Sequence, residues 1–196
     1  MKKIDLPITQ SFASRPIDMH QARADLESGN ATQILISTID FGECSKIMEQ
    51  ARINGGKVIW STTCLEQKLE HIITQFLFPE SSEVKSIRKR FFSHKIMSTN
   101  SFSFSSKKVC VSEILNEAER INGKTKDLFA QSVKKVMDYR NAFAHGELSH
   151  EDGKGCILEH WIGQAQRDVL DDDYWDKLTE WFSKAHEVAD YIKNAI

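Results

Sequence analysis

Proline, glycine and cysteine are all scarce in this 196-residue sequence. Only three prolines and nine glycines occur, so few positions interrupt a helix. No apolar run approaches the roughly 18 residues that a membrane-spanning helix needs. No apolar stretch follows the basic residues Lys2 and Lys3, so no signal peptide is expected. We therefore expect a cytoplasmic protein that makes no membrane contact.

The cysteines exclude two further classes of protein. Cys44, Cys64, Cys110 and Cys156 lie far apart, so no Cys-x-x-Cys pair is present for metal binding or redox chemistry. A disulfide framework is not expected in a chain of this size with this spacing. Reduced thiols are the expectation. No metal and no cofactor are predicted, because no two histidines have the spacing of metal ligands.

Charge is unevenly distributed along a chain whose net charge is only −2. Residues 85–145 hold 13 Lys and Arg against 5 Asp and Glu, whereas residues 146–196 hold 5 against 12. The middle of the chain is therefore basic and its C-terminal quarter acidic. Charge alone favours solvated helix faces that pair with each other over a surface that binds a polyanion.

Apolar residues recur every three or four positions over most of the chain, which predicts amphipathic helices. Gly55-Gly56 either breaks the chain or lets two elements pack closely. A short hairpin that turns near Gly163 is predicted over residues 155–170, and Asp171-Asp172-Asp173 is predicted to cap the last helix. Helices are expected over residues 43–53, 58–76, 82–94, 125–145 and 174–192, and from a cap at Ser105 or Ser106 to Asn116.

The predicted fold is mainly α. It is an antiparallel bundle of four to five main helices with a small β-hairpin before the C-terminal helix. Residues 1–50 are predicted to form an N-terminal extension of unknown role, and residues 51–196 the helical domain. Within the extension, residues 1–15 suggest an extended arm and residues 17–27 a short helix. The pattern at residues 32–41 fits a strand or a helix equally well.

One segment of the predicted helix 125–145 suggests chemistry, namely Tyr139 to His145, with the sequence YRNAFAH. Arg140 lies in line with the apolar stripe, so we expect it to face the bundle or a dimer interface. An arginine is costly to bury unless it is paired, and Glu66 or Glu70 on a neighbouring helix is one such partner. The stripe consists of Phe129, Val133 and Val136.

Asn141 and His145 are one helical turn apart and therefore share a face. Arg140 and His145 are five residues apart, which places them about 140° apart around an ideal helix. Their side chains converge only if the helix distorts near Gly146, or if two copies of the chain face each other across a two-fold axis.

The pattern Arg140-Asn141-x-x-x-His145 on a late helix of a small bundle resembles the signature of the HEPN superfamily, in which a polar residue directly follows the arginine. Gly146 and the hairpin after it are similar to bacterial HEPN-like proteins related to the mannitol-operon repressor. So are the pattern Leu65-Glu66-x-x-Leu69-Glu70 and the later Ser-Phe-Ser segment with Lys107. The resemblance covers roughly residues 55–195.

The resemblance implies a homodimer that cleaves RNA without a metal, in a bacterial toxin–antitoxin or antiviral system. It implies catalytic roles for Arg140, Asn141 and His145 at a site built by two facing motifs. A cognate antitoxin or a nucleotidyltransferase is the implied protein partner. Glu66 and Glu70 are candidates for orienting the catalytic residues. The basic segment suggests RNA contacts at Arg88, Lys89, Arg90, Lys107 and Lys108.

Other interpretations stay open from the sequence alone. The resemblance also allows a non-catalytic dimeric regulatory module like the mannitol-operon repressor. Arg140 would then form only a buried ion pair, and Asn141 and His145 would only link helices. A nucleotide-binding module acting beside a nucleotidyltransferase is a third interpretation, although no glycine-rich phosphate loop is present. Five of the other histidines are predicted at core or surface positions, namely His71, His94, His150, His160 and His186.

Overall fold

The computed structural model describes residues 41–79, 83–97, 99, 102–118, 121–151 and 153–196. The predictions for residues 1–15, 17–27 and, apart from Phe41, 32–41 lie outside these ranges. The elements in chain order are α1 (Phe41–Leu77), α2 (Glu83–Phe91) with a π-helical continuation (Phe92–Met97), α3 (Phe104–Glu117), α4 (Gly123–His145), β1 (Glu147–Glu151), β2 (Gly155–Ile162), β3 (Gln164–Val169) and α5 (Asp172–Ala195).

The predicted mainly helical fold with a small antiparallel element before the last helix is confirmed. The described ranges contain five α-helices. The β element has one strand more than the predicted hairpin, because β1 pairs with β2 as well. No helix in these ranges combines the length and apolar composition that crossing a membrane requires.

Helix α1 runs without interruption through Gly55-Gly56, so the predicted break there is wrong and the alternative of close packing is correct. A Cβ atom at Gly55 would lie 2.9 Å from Cδ1 of Phe143 on α4, closer than real Cβ contacts come. The proposed boundary between residues 50 and 51 falls inside this helix. The helix ends two residues before Pro79, which disfavours helical geometry in the residue that precedes it.

Side-chain caps fix where three of the helices begin. Ser103 caps α3 by accepting from the backbone N–H of Ser106, so the predicted cap at Ser105 or Ser106 is wrong by two or three residues. Asn122 caps α4 from its side-chain oxygen, which accepts from the backbone N–H of Thr125. Asp171 caps α5 as predicted. Each cap satisfies a backbone N–H that has no partner within the helix.

The three-stranded sheet is antiparallel with the order β1-β2-β3. Leu148 lies opposite Leu158, and both are buried against the helices. Gly163 forms the β2–β3 turn with a φ of 71°, a conformation that L side chains rarely adopt. β1 was missed because Leu148 is its only large apolar residue, which leaves no alternating pattern to detect.

The core lies where α1, α4 and α5 pack together, with α3 and the sheet closing its sides. Its residues come from the predicted helical stripes, and burying each large apolar side chain contributes roughly 1.5–3 kcal/mol before entropy is subtracted. Fully buried members of these stripes are Leu65, Leu69, Ile72, Ile73, Phe129, Val133, Val136, Ala185, Ala189 and Ile192.

Gly146 joins α4 to β1 in a space with no room for a side chain. A Cβ atom there would lie 2.3 Å from the Ala142 carbonyl oxygen, 2.8 Å from Cδ1 of Leu158 and 2.9 Å from the Glu159 carbonyl oxygen. Two of these three atoms belong to the backbone and cannot move independently of the helix and the strand. The end of α4 is therefore held directly against β2.

We expect Gly146→Ala to lower the free energy of unfolding by about 1–3 kcal/mol or more, because the methyl group overpacks this junction. Urea-induced unfolding measures the change. Gly123→Ala is the matched control, because a Cβ atom there meets nothing within 4 Å. That substitution should be neutral or slightly stabilising. Equal stability of the two variants would contradict the packing at Gly146.

Candidate functional site

The last two turns of α4 carry the motif Arg140-Asn141-x-x-x-His145. All three of these side chains are exposed, whereas Ala142 and Phe143 between them are buried. Helix periodicity accounts for this division, because residues 141 and 145 share one face and residues 142 and 143 lie on others. The helix ends at His145, where the backbone N–H of Gly146 donates to the Ala142 carbonyl over 2.7 Å. The polar residues of the motif therefore reach solvent from one helix end.

Arg140 does not face the bundle interior, so that part of the prediction is corrected. It lies in line with the buried stripe, but the residue itself is exposed. Its Nη1 donates to Oδ1 of Asn141 over 3.0 Å. This bond to the next residue in the chain orients the guanidinium and leaves its other N–H donors for a ligand. The alternative that Arg140 faces a dimer interface stays a prediction.

Glu66 and Glu70 bind Lys107, not Arg140. The Lys107 ammonium lies 2.5 Å from Oε1 of Glu66 and 2.6 Å from Oε1 of Glu70. Burial alone would lower the pKa of Lys107, but its hydrogen bonds and charge interactions with the two carboxylates outweigh burial and raise the pKa. The ammonium is therefore charged and only 4% exposed. The buried ion pair that the sequence suggested exists, with a different cation.

An aromatic cluster packs the motif segment of α4 against the start of α5. Phe143 stacks on Trp175 with ring centroids 5.7 Å apart and an interplanar angle of 25°. Tyr174 packs edge-on against Tyr139, Phe143 and Trp175. The contact of Phe143 with Gly55 completes the attachment to α1. The aromatic residues of α5 that start this cluster pack inward and fix the direction of the motif helix.

The predicted RNA-binding residues separate into two groups. Lys107 is buried in its ion pair, so it is not at a surface that RNA contacts, and Lys108 is half-buried. Arg88, Lys89 and Arg90 are exposed on α2. Lys89 and Arg90 line an open cleft of about 370 Å³ with the polar residues Gln67, Glu70, His71, Thr74, Ser93 and His94.

A second cleft was not anticipated from the sequence. It has a volume of about 520 Å³ and lies between α1 and α5, where Ser61 Oγ and His186 Nε2 are 3.1 Å apart. Burial, followed by the charge of Lys68, lowers the pKa of His186. Trp175 and Phe182 supply an apolar wall. The two polar residues are 125 positions apart in the sequence, so no local pattern could have paired them.

His160 and Asp168 pair across the β2–β3 hairpin, with Nε2 and Oδ2 2.8 Å apart. The pair links neighbouring strands close to the motif, because Glu159 lies opposite Glu147, the first residue of β1. Trp161 then extends past the start of β1 and is 73% exposed.

Within the described ranges, no group of three or more His, Cys, Asp or Glu side chains is arranged to hold a metal ion.

No family model, curated protein sequence or solved structure matches this chain.

Proposed function

We propose that the protein is a homodimeric endoribonuclease of HEPN type that works without a metal, in a bacterial toxin–antitoxin or antiviral system. The observation that carries this proposal is the exposure of Arg140, Asn141 and His145 together at the end of α4. Glu66 and Glu70 do not neutralise Arg140, because both bind Lys107. The polar motif is therefore accessible to a ligand.

The residue types fit transesterification of RNA. Histidine is the side chain whose imidazole most readily accepts or donates a proton near neutral pH, and His145 supplies one in the motif. It would take the proton from a ribose 2′-OH or give one to the departing 5′ oxygen. The 2′ oxygen bonds to phosphorus as the bond to the 5′ oxygen breaks. The products are a 2′,3′-cyclic phosphate and a 5′-hydroxyl end.

Arg140 would stabilise the charge that develops during this reaction. A guanidinium matches two phosphate oxygens with parallel N–H donors, and the interaction strengthens as negative charge builds on the phosphorane-like transition state. The hydrogen bond from Arg140 to Asn141 occupies one donor and restricts the rotation of the side chain. Asn141 thus acts as a positioning residue for Arg140, and its amide N–H₂ group stays available to a phosphate oxygen.

We expect the wild-type protein to cut single-stranded RNA in the presence of EDTA and His145→Ala to lose about 10²–10⁴-fold of the rate. A denaturing gel with 5′-labelled RNA measures this. The ends of the products should be 2′,3′-cyclic phosphates. His150→Ala, the same change five residues later, should cut at the wild-type rate. Equal cleavage by all three proteins would indicate a contaminating nuclease, and cleavage only after metal addition would exclude this mechanism.

One observation favours the alternative of a non-catalytic dimeric regulatory module. Neither of the two clefts described above is lined by Arg140, Asn141 or His145. In that case the exposed motif would contact a second protein, such as a cognate antitoxin or nucleotidyltransferase. A folded wild-type dimer that cuts no RNA after stringent removal of copurifying protein would support this function over the ribonuclease.

A further inference from the structure

The cleft between α1, α2 and the π-helical turn is lined entirely by polar and charged side chains. Its eight lining residues include two histidines, a lysine and an arginine, and none is aliphatic or aromatic except for the imidazoles. Small-molecule sites are usually lined mainly by apolar and aromatic side chains. This cleft is therefore suited to a charged, hydrated group and not to a buried ring.

The charge of the cleft is positive. Lys89 and Arg90 project from exposed positions on α2. Glu70 is the one carboxylate among the lining residues, and its Oε1 accepts from the buried ammonium of Lys107 over 2.6 Å. Lys107 is shared with Glu66, so it offsets only part of the charge of Glu70, and Lys89 and Arg90 supply the positive charge of the cleft.

The positive charge around the cleft also affects His71, which lies near a lysine of α5 and a lysine of α2. Its pKa is lowered by burial, then by Lys193 on α5 and by Lys89 on α2. The other titratable groups that line the cleft are Glu70, Arg90 and His94. An anion between these cations would offset their effect and raise the pKa of His71 again.

The cleft is bordered by features that suit a single strand of nucleic acid. Phe91 directly follows Arg90, and its ring is 61% exposed. Arg88 is also exposed and extends the basic surface beyond the cleft. Proteins that bind single strands combine a positively charged groove for the backbone with exposed aromatic rings on which bases stack. A free nucleotide would need a wall for its base inside the cleft, and the lining provides none.

The cleft is separate from the motif. Phe143 of the motif contacts α1 at Gly55, whereas His71 lies 16 residues further along the same helix. A rise of 1.5 Å per residue makes this separation about 24 Å. One phosphate cannot contact both places. A strand with about 3.4 Å between stacked nucleotides would need about seven of them to connect the two.

We propose that this cleft binds backbone phosphates of single-stranded RNA, as a second contact region about 24 Å along α1 from the place where Phe143 of the motif helix contacts Gly55. The identity of the RNA rests on the proposed function, whereas the preference for phosphate rests on the cleft itself. Lys89 and Arg90 contact the phosphates, and Phe91 stacks on an adjoining base. Recognition of this kind is independent of base sequence.

The test is fluorescence anisotropy with a labelled strand of about 12 nucleotides, longer than the stacked span between the two regions. The RNA carries 2′-O-methyl groups, so no 2′-OH exists for the cleavage reaction. We expect Lys89→Ala/Arg90→Ala to weaken binding at least about tenfold and to reduce the log–log salt slope by about 1.4, that is, about 0.7 for each lost contact. Phe91→Ala should weaken binding about fivefold with the salt slope unchanged.

Lys134→Ala/Lys135→Ala is the matched control, because it removes the same charge from exposed neighbouring positions on α4. It should change affinity less than about threefold, as non-specific attraction alone would. Equal losses of strand affinity in the two double variants would overturn the proposal, because they would show that RNA responds to the total positive charge of the protein and not to the cleft. Competition by AMP as strong as competition by the strand would overturn it in favour of a nucleotide site.

The result of the strand-binding measurement does not depend on whether the protein cuts RNA. Because the probe cannot be cleaved, a failed cleavage assay with intact strand binding would remove only the proposed function. If every cleft variant binds the strand as tightly as the wild type and the protein still cuts RNA, only the proposal for the cleft is contradicted. A rise in the pKa of His71 when the strand binds, followed by NMR with His150 as the reference, would further support occupation of the cleft.

Discussion

An equimolar mixture of Arg140→Ala and His145→Ala protein is expected to cut RNA, although neither variant does so alone. Each variant should lose at least about 10²-fold of the rate. After subunits exchange, half of the dimers contain one of each variant. In such a dimer, one site keeps an arginine from one chain and a histidine from the other. The mixture should therefore recover about a quarter of the wild-type rate.

The geometry of α4 is the reason for this expectation. Arg140 and His145 are separated by about 140° around the helix, and the helix is regular up to His145. The only hydrogen-bonding side chain that Arg140 contacts within the described ranges is that of Asn141. Convergence on one phosphate is thus easier between two copies than within one. Arg140 also extends the buried stripe of α4 into solvent, where a second copy can cover it.

The control mixture combines His145→Ala with the double variant Arg140→Ala/His145→Ala, which contains no motif histidine and should stay inactive. Heterodimers are best isolated with two different affinity tags, so that exchange is not assumed. Purified heterodimers of the two single variants that fail to cut, beside an active wild type, would place Arg140 and His145 of the same chain in one site.

The double variant Glu66→Gln/Glu70→Gln is expected to lower the free energy of unfolding by about 3 kcal/mol. Removing the partners of a buried charge costs about 3–5 kcal/mol, because the charge is left without compensation. Lys107 is 4% exposed, so water cannot replace the carboxylates. The carboxylate side chains keep 30% and 27% exposure, which places the expected cost at the low end. Urea-induced unfolding measures it.

Adding Lys107→Met to the double variant should restore most of this stability, because a buried ion pair replaced by groups of similar volume is often neutral or stabilising. Glu180→Gln is the matched control, since it breaks an exposed pair with Lys184 on α5 and should leave stability almost unchanged. A triple variant as unstable as the double would mean that the glutamates act through packing and not through charge.

Local patterns in the sequence predicted much of the fold. The spacing of Leu65, Leu69 and Ile72 identified the buried face of α1, and Gly163 identified the β2–β3 turn. The end of α4 at His145 was also predicted, because Gly146 follows it. These features depend on neighbours within a few residues, and periodicity and turn chemistry report such neighbours directly.

The features that the sequence did not predict depend on distant partners. Periodicity gives the angle of Arg140 around α4, but it does not show whether another element covers that turn. Lysine is rarely buried unless it is paired, and the partners of Lys107 lie 41 and 37 residues away. The same reason hid the contact between Ser61 and His186. Sequence reasoning therefore identified the motif, but not the surfaces around it.

The uninterrupted course of α1 through Gly55-Gly56 gives the molecule a rigid spacer of defined length. One end of that spacer supports the motif through Phe143, and the other carries His71 in the polar cleft. A break at the glycines would let the two ends swing independently. Because the helix is continuous, an RNA strand held at the cleft would be presented to the motif at a constant distance, and the protein would act as a ruler that sets the length of its products.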